Sequence, residues 1–558
     1  MSAWDIIVIV MKIFGGMGAF LMGMHVLSEN MTRLAHGKLR TMLNRTSKSR
    51  WAGVGIGAGV TMIAQSSALT TVMVVGLVNA GIMTLFQATA IIMGANIGTT
   101  ITAWLVSLSS INITTIFLCL TAVGMFMVML SKQEKVKSIG SALAALGLIF
   151  VGLSFMSGAM SFAEGSVAYN AVSGVLQKIN NPALLLLIGV VLTALIQSSS
   201  AVTTVLIAMA NVGLVVGGGG NAMYYIIIGS NIGTCVTALI SSLGATPNAK
   251  RAAFIHFLFN VFGAVIFTVF LLCWKNFADV VLGGIFPRED LLAFRIAIFH
   301  TLFNVVCTLL FLPFINLFVK LANLIVREKK KSVPAGAEGE IAELDERLLR
   351  SPSIALGYLY QETGKVFSHA MNTLDTAFDA FIAKDLSATE KVTEENAELG
   401  RANRQVVSYL VKLSASSLVM EEEKTISSLH YVLNDIVRIG ELADNITKYT
   451  GHYVNDPLVF SGEFLEMLKG MYGKIKQLYV LSLATFLYKD FTKLAEVDAL
   501  EDEIDKDRKM LVSTHIERLN EGKCQPQNSS VFINLVGNLE RAADHINYIA
   551  HSIEQNDA

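Results

Sequence analysis

Long apolar runs fill residues 1–326 of the chain, whereas the rest alternates apolar and polar residues with a helical period. A run of about 18–25 apolar residues is long enough for a helix to cross a hydrocarbon core of roughly 30 Å. Beyond residue 350 no such run occurs, and the pattern predicts about six amphipathic helices with almost no strand. Membrane-spanning helices are predicted at residues 6–27, 83–108, 113–130, 139–160, 222–243, 252–274 and 293–326.

The predicted fold is therefore all-α, with a polytopic membrane domain and a soluble helical bundle. We place the membrane domain at residues 1–326, a linker at 327–350 and the helical domain at 351–558. The linker, which includes "KKKSVPAGAEGE", is rich in charge, proline and glycine, as linkers between domains commonly are.

Two further apolar segments carry polar residues in their middle. They read "TMIAQSSALTT" at residues 61–71 and "TALIQSSSAVTT" at residues 193–204. Basic residues in short loops favour the cytoplasmic side of a membrane. The basic clusters of this chain fall on one side only if residues 52–79 and 182–213 are re-entrant hairpins rather than spans. The two hairpins then point at each other from opposite faces. The basic clusters lie at residues 33–50, 132–137, 250–251 and 327–331.

The segments around these hairpins form an internal repeat. "QSSALTTVMVVGLVNAG" is followed by "IIMGANIGTTITAWL", and "QSSSAVTTVLIAMANVG" is followed by "IIIGSNIGTCVTALI". The spacing from Gln65 to Asn96 is nearly the same as the spacing from Gln197 to Asn231. Two copies with opposite topology, roughly residues 50–130 and 180–275, form an inverted repeat, which is typical of secondary transporters.

The polar motifs predict an anion site that contains no fixed cation. A break at Gln-Ser-Ser exposes the N-terminus of the second helix of each hairpin, whose free N–H groups and partial positive charge attract anions. The serines that follow each glutamine are suitable caps for that helix. We expect the Gly-x-Asn-Ile-Gly-Thr segments to break the next spans, with Gly94, Gly98, Gly229 and Gly233 permitting unwinding. Asn96, Asn231, Thr99, Thr100 and Thr234 would supply further donors and acceptors.

Composition and charge narrow the class of function. The chain is 53% hydrophobic and 16% charged, and its membrane domain holds 17 lysines and arginines against 7 acids. All seven acids fall in loops or at the ends of spans, whereas proton-coupled carriers usually bury a carboxylate or histidine relay. Hydroxyl, amide and carbonyl oxygens suffice for sodium, so sodium is the expected coupling ion. The alternative is that these polar residues only hold helices together, which the duplicated motif disfavours. The five cysteines have no pairing or metal-ligand spacing and are expected to be free thiols.

A second, weaker pair of motifs places a histidine and an asparagine one helical turn apart. They are "HFLFN" (His256 to Asn260) and "HTLFN" (His300 to Asn304). The simpler interpretation is a neutral histidine that donates to a neighbouring carbonyl between packed helices. The alternative is a residue that supports the site or responds to protonation.

The duplicated Gln-Ser-Ser hairpins, the Gly-x-Asn-Ile-Gly-Thr segments and the His-x-Leu-Phe-Asn helices resemble the type II sodium–phosphate cotransporter family over roughly residues 10–325. The resemblance implies sodium-driven phosphate transport by alternating access. The first copy departs from the pattern, because Ala68 stands where the second has Ser200. By position, the family's phosphate-binding residues fall on Gln65, Ser66, Ser67, Gln197, Ser198, Ser199, Asn96 and Asn231, and its sodium-binding residues on Thr70, Ser200, Thr203, Thr99 and Thr234.

The soluble domain also contains a repeat. "NDIVRIGELADNI" (434–446) and "GNLERAADHINYI" (537–549) align along their whole length, which predicts two homologous three-helix bundles. This resembles a PhoU-like regulatory domain, which in that family can bind metal through Glu-x-x-x-Asp. Only the second copy keeps the pair, as Glu540 and Asp544, since Val437 stands opposite Glu441 in the first. A solvated charged face is the alternative.

The function favoured by the sequence is sodium-coupled transport of inorganic phosphate, without an organic cofactor. A multi-pass protein of the inner cell membrane with its C-terminal domain in the cytoplasm is expected. The alternatives are a membrane phosphate sensor and a carrier or exporter of another anion. An enzyme is disfavoured, because no nucleophile elbow, phosphate-binding loop or catalytic metal triad is found. The expected partners are phosphate, sodium and the lipid bilayer, and nucleic acid is not expected to bind. A homodimer and a cytoplasmic phosphate-signalling partner are further candidates.

Overall fold

The structure is a computed structural model, and it describes residues 3–35, 49–79, 81–111, 114–161, 167–288, 291–327, 344–350, 352–416, 418, 420–456 and 458–553. The chain divides into two compact units, Met1–Lys330 and Lys331–Ala558. All regular elements in the described ranges are helices, which confirms the predicted all-α fold. Most of the first basic cluster (Lys38, Arg40, Arg45 and Lys48), Lys329–Lys331 and most of the predicted linker lie outside these ranges.

The first unit contains thirteen main helices among its described residues. Six are long and apolar enough to cross a membrane: α1, α4, α6, α10, α11, and α12 continued by α13. These six match six of the seven predicted spans. The remaining predicted span, residues 113–130, corresponds to α5, which is a shorter apolar helix. The helices are α1 (Ala3–Leu34), α2 (Arg50–Ala64), α3 (Ser67–Asn79), α4 (Leu85–Ser107), α5 (Thr114–Leu130), α6 (Glu134–Met160), α7 (Val167–Lys178), α8 (Pro182–Ile196), α9 (Ser199–Ala210), α10 (Ala222–Ser241), α11 (Pro247–Cys273), α12 (Leu292–Phe311) and α13 (Ile315–Ile325).

Both Gln-Ser-Ser segments are breaks between two short helices. Gln65 ends α2 with φ 51° and Gln197 ends α8 with φ 58°, a left-handed conformation that stops a helix. The helices on either side have 15 and 13 residues in the first copy and 15 and 12 in the second. At 1.5 Å per residue each is about 18–22 Å long, which is shorter than a hydrocarbon core of roughly 30 Å. The two helices of each pair also contact each other, and each pair is called a hairpin below. Its re-entry into the membrane stays a prediction.

The Gly-x-Asn-Ile-Gly-Thr segments are not helix breaks, so that prediction was wrong. Helices α4 and α10 run without interruption through Gly94, Gly98, Gly229 and Gly233. The glycines instead allow close packing of each hairpin. A Cβ atom at Gly94 would lie 2.0 Å from the Val54 carbonyl oxygen of α2, and one at Gly229 would lie 2.0 Å from the Leu186 carbonyl oxygen of α8. The first helix of each hairpin is therefore packed backbone to backbone against the next long helix.

Helix α7 was not predicted. It is a mixed polar and apolar helix that leads into α8 with a bend of 107° between the two. Asn181 caps the N-terminus of α8 by accepting from the Ala183 and Leu184 N–H groups, and Pro182 occupies its first turn. The five cysteines are free thiols, as predicted.

The second unit contains the six helices that the sequence predicts. They form two groups of three helices, α14–α16 and α17–α19. Between the groups, α14 packs against α17, and α16 packs against α19. The apolar face of each helix is buried in this bundle, as for Leu429, Leu433 and Leu535. The helices are α14 (Pro352–Ala383), α15 (Ala388–Ser414), α16 (Met420–Asn455), α17 (Gly462–Tyr488), α18 (Leu494–Asn520) and α19 (Asn528–His551).

Candidate functional site

The first hairpin tip is tied to the long helix beside it through Gln65. The Gln65 Nε2 atom donates to the Met62 carbonyl oxygen at 2.6 Å, inside the same hairpin. Its Oε1 atom accepts from the Thr102 hydroxyl of α4 at 3.2 Å. The Ser28 hydroxyl of α1 donates to the Ala64 carbonyl oxygen at the same tip. The break is thus held by side chains of two different helices.

The second residue of each Gln-Ser-Ser motif caps the following helix, as predicted. The Ser66 Oγ atom accepts from the Leu69 N–H at 3.1 Å, and the Ser198 Oγ atom accepts from the Ala201 N–H at 3.2 Å. Each cap satisfies one of the four N–H groups that an α-helix leaves without an intrahelical partner at its start. The others, together with the helix dipole, remain suited to an anion.

The hydroxyl groups one turn beyond the tips differ between the copies. Thr70 donates to the Ser66 carbonyl oxygen at 3.1 Å and accepts from the Thr61 hydroxyl at 2.9 Å. In the second copy Ser200 and Thr203 precede a threonine, Thr204, that donates to the Ser200 carbonyl oxygen at 2.7 Å. The Thr203 hydroxyl is buried and has no hydrogen-bond partner among the described residues. Ser67 and Ser199 are buried at the starts of α3 and α9.

The predicted residues on α4 and α10 lie inside the unit, and their side chains already make hydrogen bonds. Asn96 donates through Nδ2 to the Asn260 Oδ1 atom of α11 at 3.0 Å. Asn231 donates through Nδ2 to the Ile227 carbonyl oxygen at 2.9 Å. Thr99 and Thr234 donate to carbonyl oxygens four residues earlier at 3.1 and 3.0 Å. These hydroxyl oxygens keep lone pairs that can accept or ligate.

Each hairpin packs against the long helix of the other repeat. Helix α3 contacts α10, and α9 contacts α4. The ends of the hairpins are fastened in the same reciprocal way. Asn79 at the end of α3 accepts from the Thr246 N–H at 2.8 Å, whereas Asn211 at the end of α9 bonds to the Ser109 and Ser110 hydroxyls at 2.8 Å each. The two Gln-Ser-Ser hairpins, each with its predicted site residues, are therefore joined by contacts between the two repeats.

The two buried histidines do not make the predicted contacts. The rings of His256 and His300 have no hydrogen-bond partner among the described residues. The asparagine of each motif occupies the local acceptor instead, because Asn260 donates to the His256 carbonyl oxygen and Asn304 to the His300 carbonyl oxygen, both at 2.9 Å. The prediction of a histidine that donates to a neighbouring carbonyl was therefore wrong, and the hydrogen bond from Asn260 was not predicted from the motif.

In the second unit, Glu540 and Asp544 lie in a cluster of charges between α18 and α19. Arg508 Nη1 is 3.5 Å from Glu540 Oε1. Burial, followed by repulsion from Asp544, raises the pKa of Glu540; burial, followed by repulsion from Asp505, raises the pKa of Asp544. No group of three or more metal-ligating side chains is assembled among the described residues. A metal at this pair stays a prediction, and it would compete with the Arg508 guanidinium for Glu540.

Comparison with known proteins agrees with this geometry. The Na+/Pi-cotransporter family model matches residues 19–158 and 159–285, one match for each hairpin and its following helices. This chain belongs to the Na+/Pi-cotransporter family. The PhoU domain model matches residues 364–450 and 468–553, which confirms the duplication of the helical domain. The chain is a membrane protein of a phosphate-transport family that carries a PhoU-like domain.

Three relatives illustrate the range of this similarity. A Bacillus subtilis protein named "Uncharacterized protein YqeW" is 31% identical over 56% of this chain and 96% of its own length. The Escherichia coli protein named "Putative inorganic phosphate export protein YjbB" is 22% identical over 95% of both chains. A Thermotoga maritima protein named "Phosphate-specific transport system accessory protein PhoU homolog 1" is 23% identical over 37% of this chain and 84% of its own.

Proposed function

We propose that this protein is a sodium-coupled carrier of inorganic phosphate that works by alternating access. The observation that carries the proposal is the pair of hairpins. In each, the second helix begins with a serine cap and packs against the long helix of the other repeat. Two helix N-termini that belong to interlocked halves can hold a phosphate ion through N–H and hydroxyl donors without a fixed cation. We assign phosphate binding to the residues Gln65, Ser66, Ser67, Gln197, Ser198, Ser199, Asn96 and Asn231.

Sodium is the coupling ion in this proposal for a chemical reason. The side chains assigned to it, Thr70, Ser200, Thr203, Thr99 and Thr234, offer hydroxyl oxygens, which are hard ligands. The buried ionisable groups in the described part of α10–α12 include two histidines but no carboxylate. A sodium ion that enters with phosphate offsets part of the anion's charge, which is costly to place in a low-dielectric interior.

The helical domain is proposed to be cytoplasmic and to regulate transport. The name of the Thermotoga maritima relative refers to an accessory role in phosphate-specific transport. A domain joined to the carrier itself can couple intracellular phosphate signalling to flux without a separate anchoring step.

Sodium-jump uptake into proteoliposomes tests the proposed function. Wild-type protein should accumulate labelled phosphate when external potassium is replaced by sodium, and a protonophore should not abolish the accumulation. Gln65→Ala and Gln197→Ala should abolish uptake while the protein still reaches the membrane. Gln177→Ala, on the exposed face of α7, is the control and should transport at the wild-type rate. Wild-type uptake in either tip variant would contradict the site.

The alternatives give different results in the same vesicles. A sensor would bind phosphate but accumulate none. An exporter, which the name of the Escherichia coli relative favours, would release phosphate from loaded vesicles faster than it takes phosphate up. Competition by sulfate or arsenate tests whether another anion is the substrate.

A further inference from the structure

Asn260 joins the two repeats through a single buried side chain. It lies on α11 and is 1% exposed. Its Oδ1 atom accepts from Asn96 of the first repeat at 3.0 Å, and its Nδ2 atom lies 3.3 Å from the Sγ atom of Cys235 in the second repeat. Its Nδ2 atom also donates to the His256 carbonyl oxygen at 2.9 Å. The asparagine therefore contacts both helices that carry the Asn-Ile-Gly-Thr motif.

These contacts fix which way each amide faces. A carbonyl oxygen can only accept a hydrogen bond, so the atom of Asn260 beside the His256 carbonyl must be the NH₂ group. The amide oxygen of Asn260 then faces Asn96, so Asn96 must donate to it through its own NH₂ group. The Asn96 oxygen is left on the other branch of the amide. Among the described residues none donates a hydrogen bond to it.

We propose that Asn260 is a positioning residue that makes Asn96 present its amide oxygen, rather than its NH₂ group, to the transported solutes. An amide oxygen is a hard ligand for a cation, whereas phosphate requires donors. Asn96 therefore moves from the phosphate-binding set to the sodium site, and the donors for phosphate are those of the hairpin tips. The inference deepens the proposed function and rests on it.

Asn304 offers a matched control. It belongs to the same His-x-Leu-Phe-Asn motif, is buried, and donates to the His300 carbonyl oxygen at 2.9 Å, as Asn260 does to His256. Its amide oxygen has no hydrogen-bond partner among the described residues. Asn304→Ala therefore removes the same local hydrogen bond and the same volume without breaking a link to Asn96.

The experiment measures initial phosphate uptake into proteoliposomes containing the full chain. Sodium is varied at saturating phosphate, and phosphate is varied at saturating sodium. Loss of one orienting hydrogen bond, about 1 kcal/mol, corresponds to a factor of about five in affinity. Asn260→Ala is expected to raise the half-saturating sodium concentration about fivefold and the half-saturating phosphate concentration less than about twofold. Asn304→Ala is expected to change both by less than about twofold.

A double variant separates positioning from general loosening of the core. If Asn260 acts through Asn96, the variant with both Asn96→Ala and Asn260→Ala should have the sodium dependence of Asn96→Ala alone. Additive effects, a shift in phosphate rather than sodium dependence, or an equal effect of Asn304→Ala would each overturn the inference.

The outcome can also be separated from failure of the proposed function. If wild-type vesicles show no sodium-driven uptake, that function fails. The thermal stability of the purified protein as a function of sodium concentration then tests Asn260 by itself, because a bound ion stabilises the folded state. The midpoint of this stabilisation should lie about fivefold higher in Asn260→Ala. An unchanged midpoint would overturn the role of Asn260.

Discussion

The close packing of α2 against α4 makes a testable prediction about Gly57. A Cβ atom at Gly57 would lie 2.0 Å from the Ile91 carbonyl oxygen. Close carbon–oxygen contacts in proteins are about 3.3–3.6 Å, so Gly57→Ala must separate the two backbones by more than about 1 Å. The obstacle is main chain, and no side chain can rotate away to relieve it. The substitution should therefore displace the first hairpin from its long helix.

Gly55 provides the control on the same helix. A Cβ atom at this position would meet nothing within 4 Å, and the residue is exposed. Replacing a glycine by alanine inside a helix is favourable by up to about 1 kcal/mol when the space is open. Overpacking at a closed position costs about 1–3 kcal/mol, and a backbone obstacle places Gly57 near the upper end. The two substitutions should therefore change stability in opposite directions.

The assay heats the purified full-length protein in detergent and measures the fraction that remains monodisperse. A loss of about 3 kcal/mol in the unit Met1–Lys330 should lower the midpoint for Gly57→Ala by about 4 °C, whereas Gly55→Ala should match or slightly exceed the wild type. Uptake should fall in Gly57→Ala because the tip residue Gln65 moves with α2. A midpoint for Gly57→Ala at or above the wild type, or an equal fall in Gly55→Ala, would refute the packing argument.

Two further predictions concern polar groups that are buried or half-buried. Thr70→Val should lower stability by about 1–3 kcal/mol because it leaves the buried Thr61 hydroxyl without its hydrogen-bond partner. Thr193→Val should be neutral or stabilising because the Thr193 hydroxyl has no hydrogen-bond partner among the described residues. Thermal unfolding of both variants checks this. The raised pKa values of Glu540 and Asp544 mean that the folded state binds protons more tightly than the unfolded state. The contribution of these two carboxyl groups to stability is therefore greatest below the ordinary carboxyl pKa. This contribution is lost as the pH rises through the raised pKa values. Glu540→Gln should therefore raise the unfolding temperature more at pH 7.5 than at pH 4.5, and an equal gain at both would contradict the assignment.

The hairpins could be predicted from sequence because their signal is local. A glutamine followed by two serines inside an apolar run provides both a helix stop and a helix start within one short motif. The structure places the left-handed residue at Gln65 and Gln197 and the caps at Ser66 and Ser198. The duplication then identified the two halves without any knowledge of their packing.

The glycines of the Asn-Ile-Gly-Thr motif were misinterpreted because their role is not local. A glycine in a helix can permit unwinding, or it can permit another helix to approach. Only the partner decides between these, and for Gly94 the partner is Val54, which lies on a different helix. The same limit applies to Asn260, whose bond to Asn96 crosses 164 residues. The His-x-Leu-Phe-Asn motif identified the right turn of α11, but it favoured the histidine over the asparagine as the residue that makes the hydrogen bonds.

The unequal surroundings of the two glutamines bear on how the proposed carrier moves. Gln65 accepts from Thr102, whereas Gln197 is exposed and no described bond joins it to Thr237, which occupies the place of Thr102 in the second repeat. Both hairpins pack equally closely on their long helices, through Gly94 and Gly229, so the difference lies in the hydrogen bonding of the two glutamines and not in the packing of α2 and α8. Alternating access between inverted halves requires such a difference, since equivalent residues exchange surroundings when the carrier changes state. If the proposed carrier exchanges the surroundings of the two glutamines, the Thr237 hydroxyl would hold Gln197 in the opposite state while Thr102 releases Gln65.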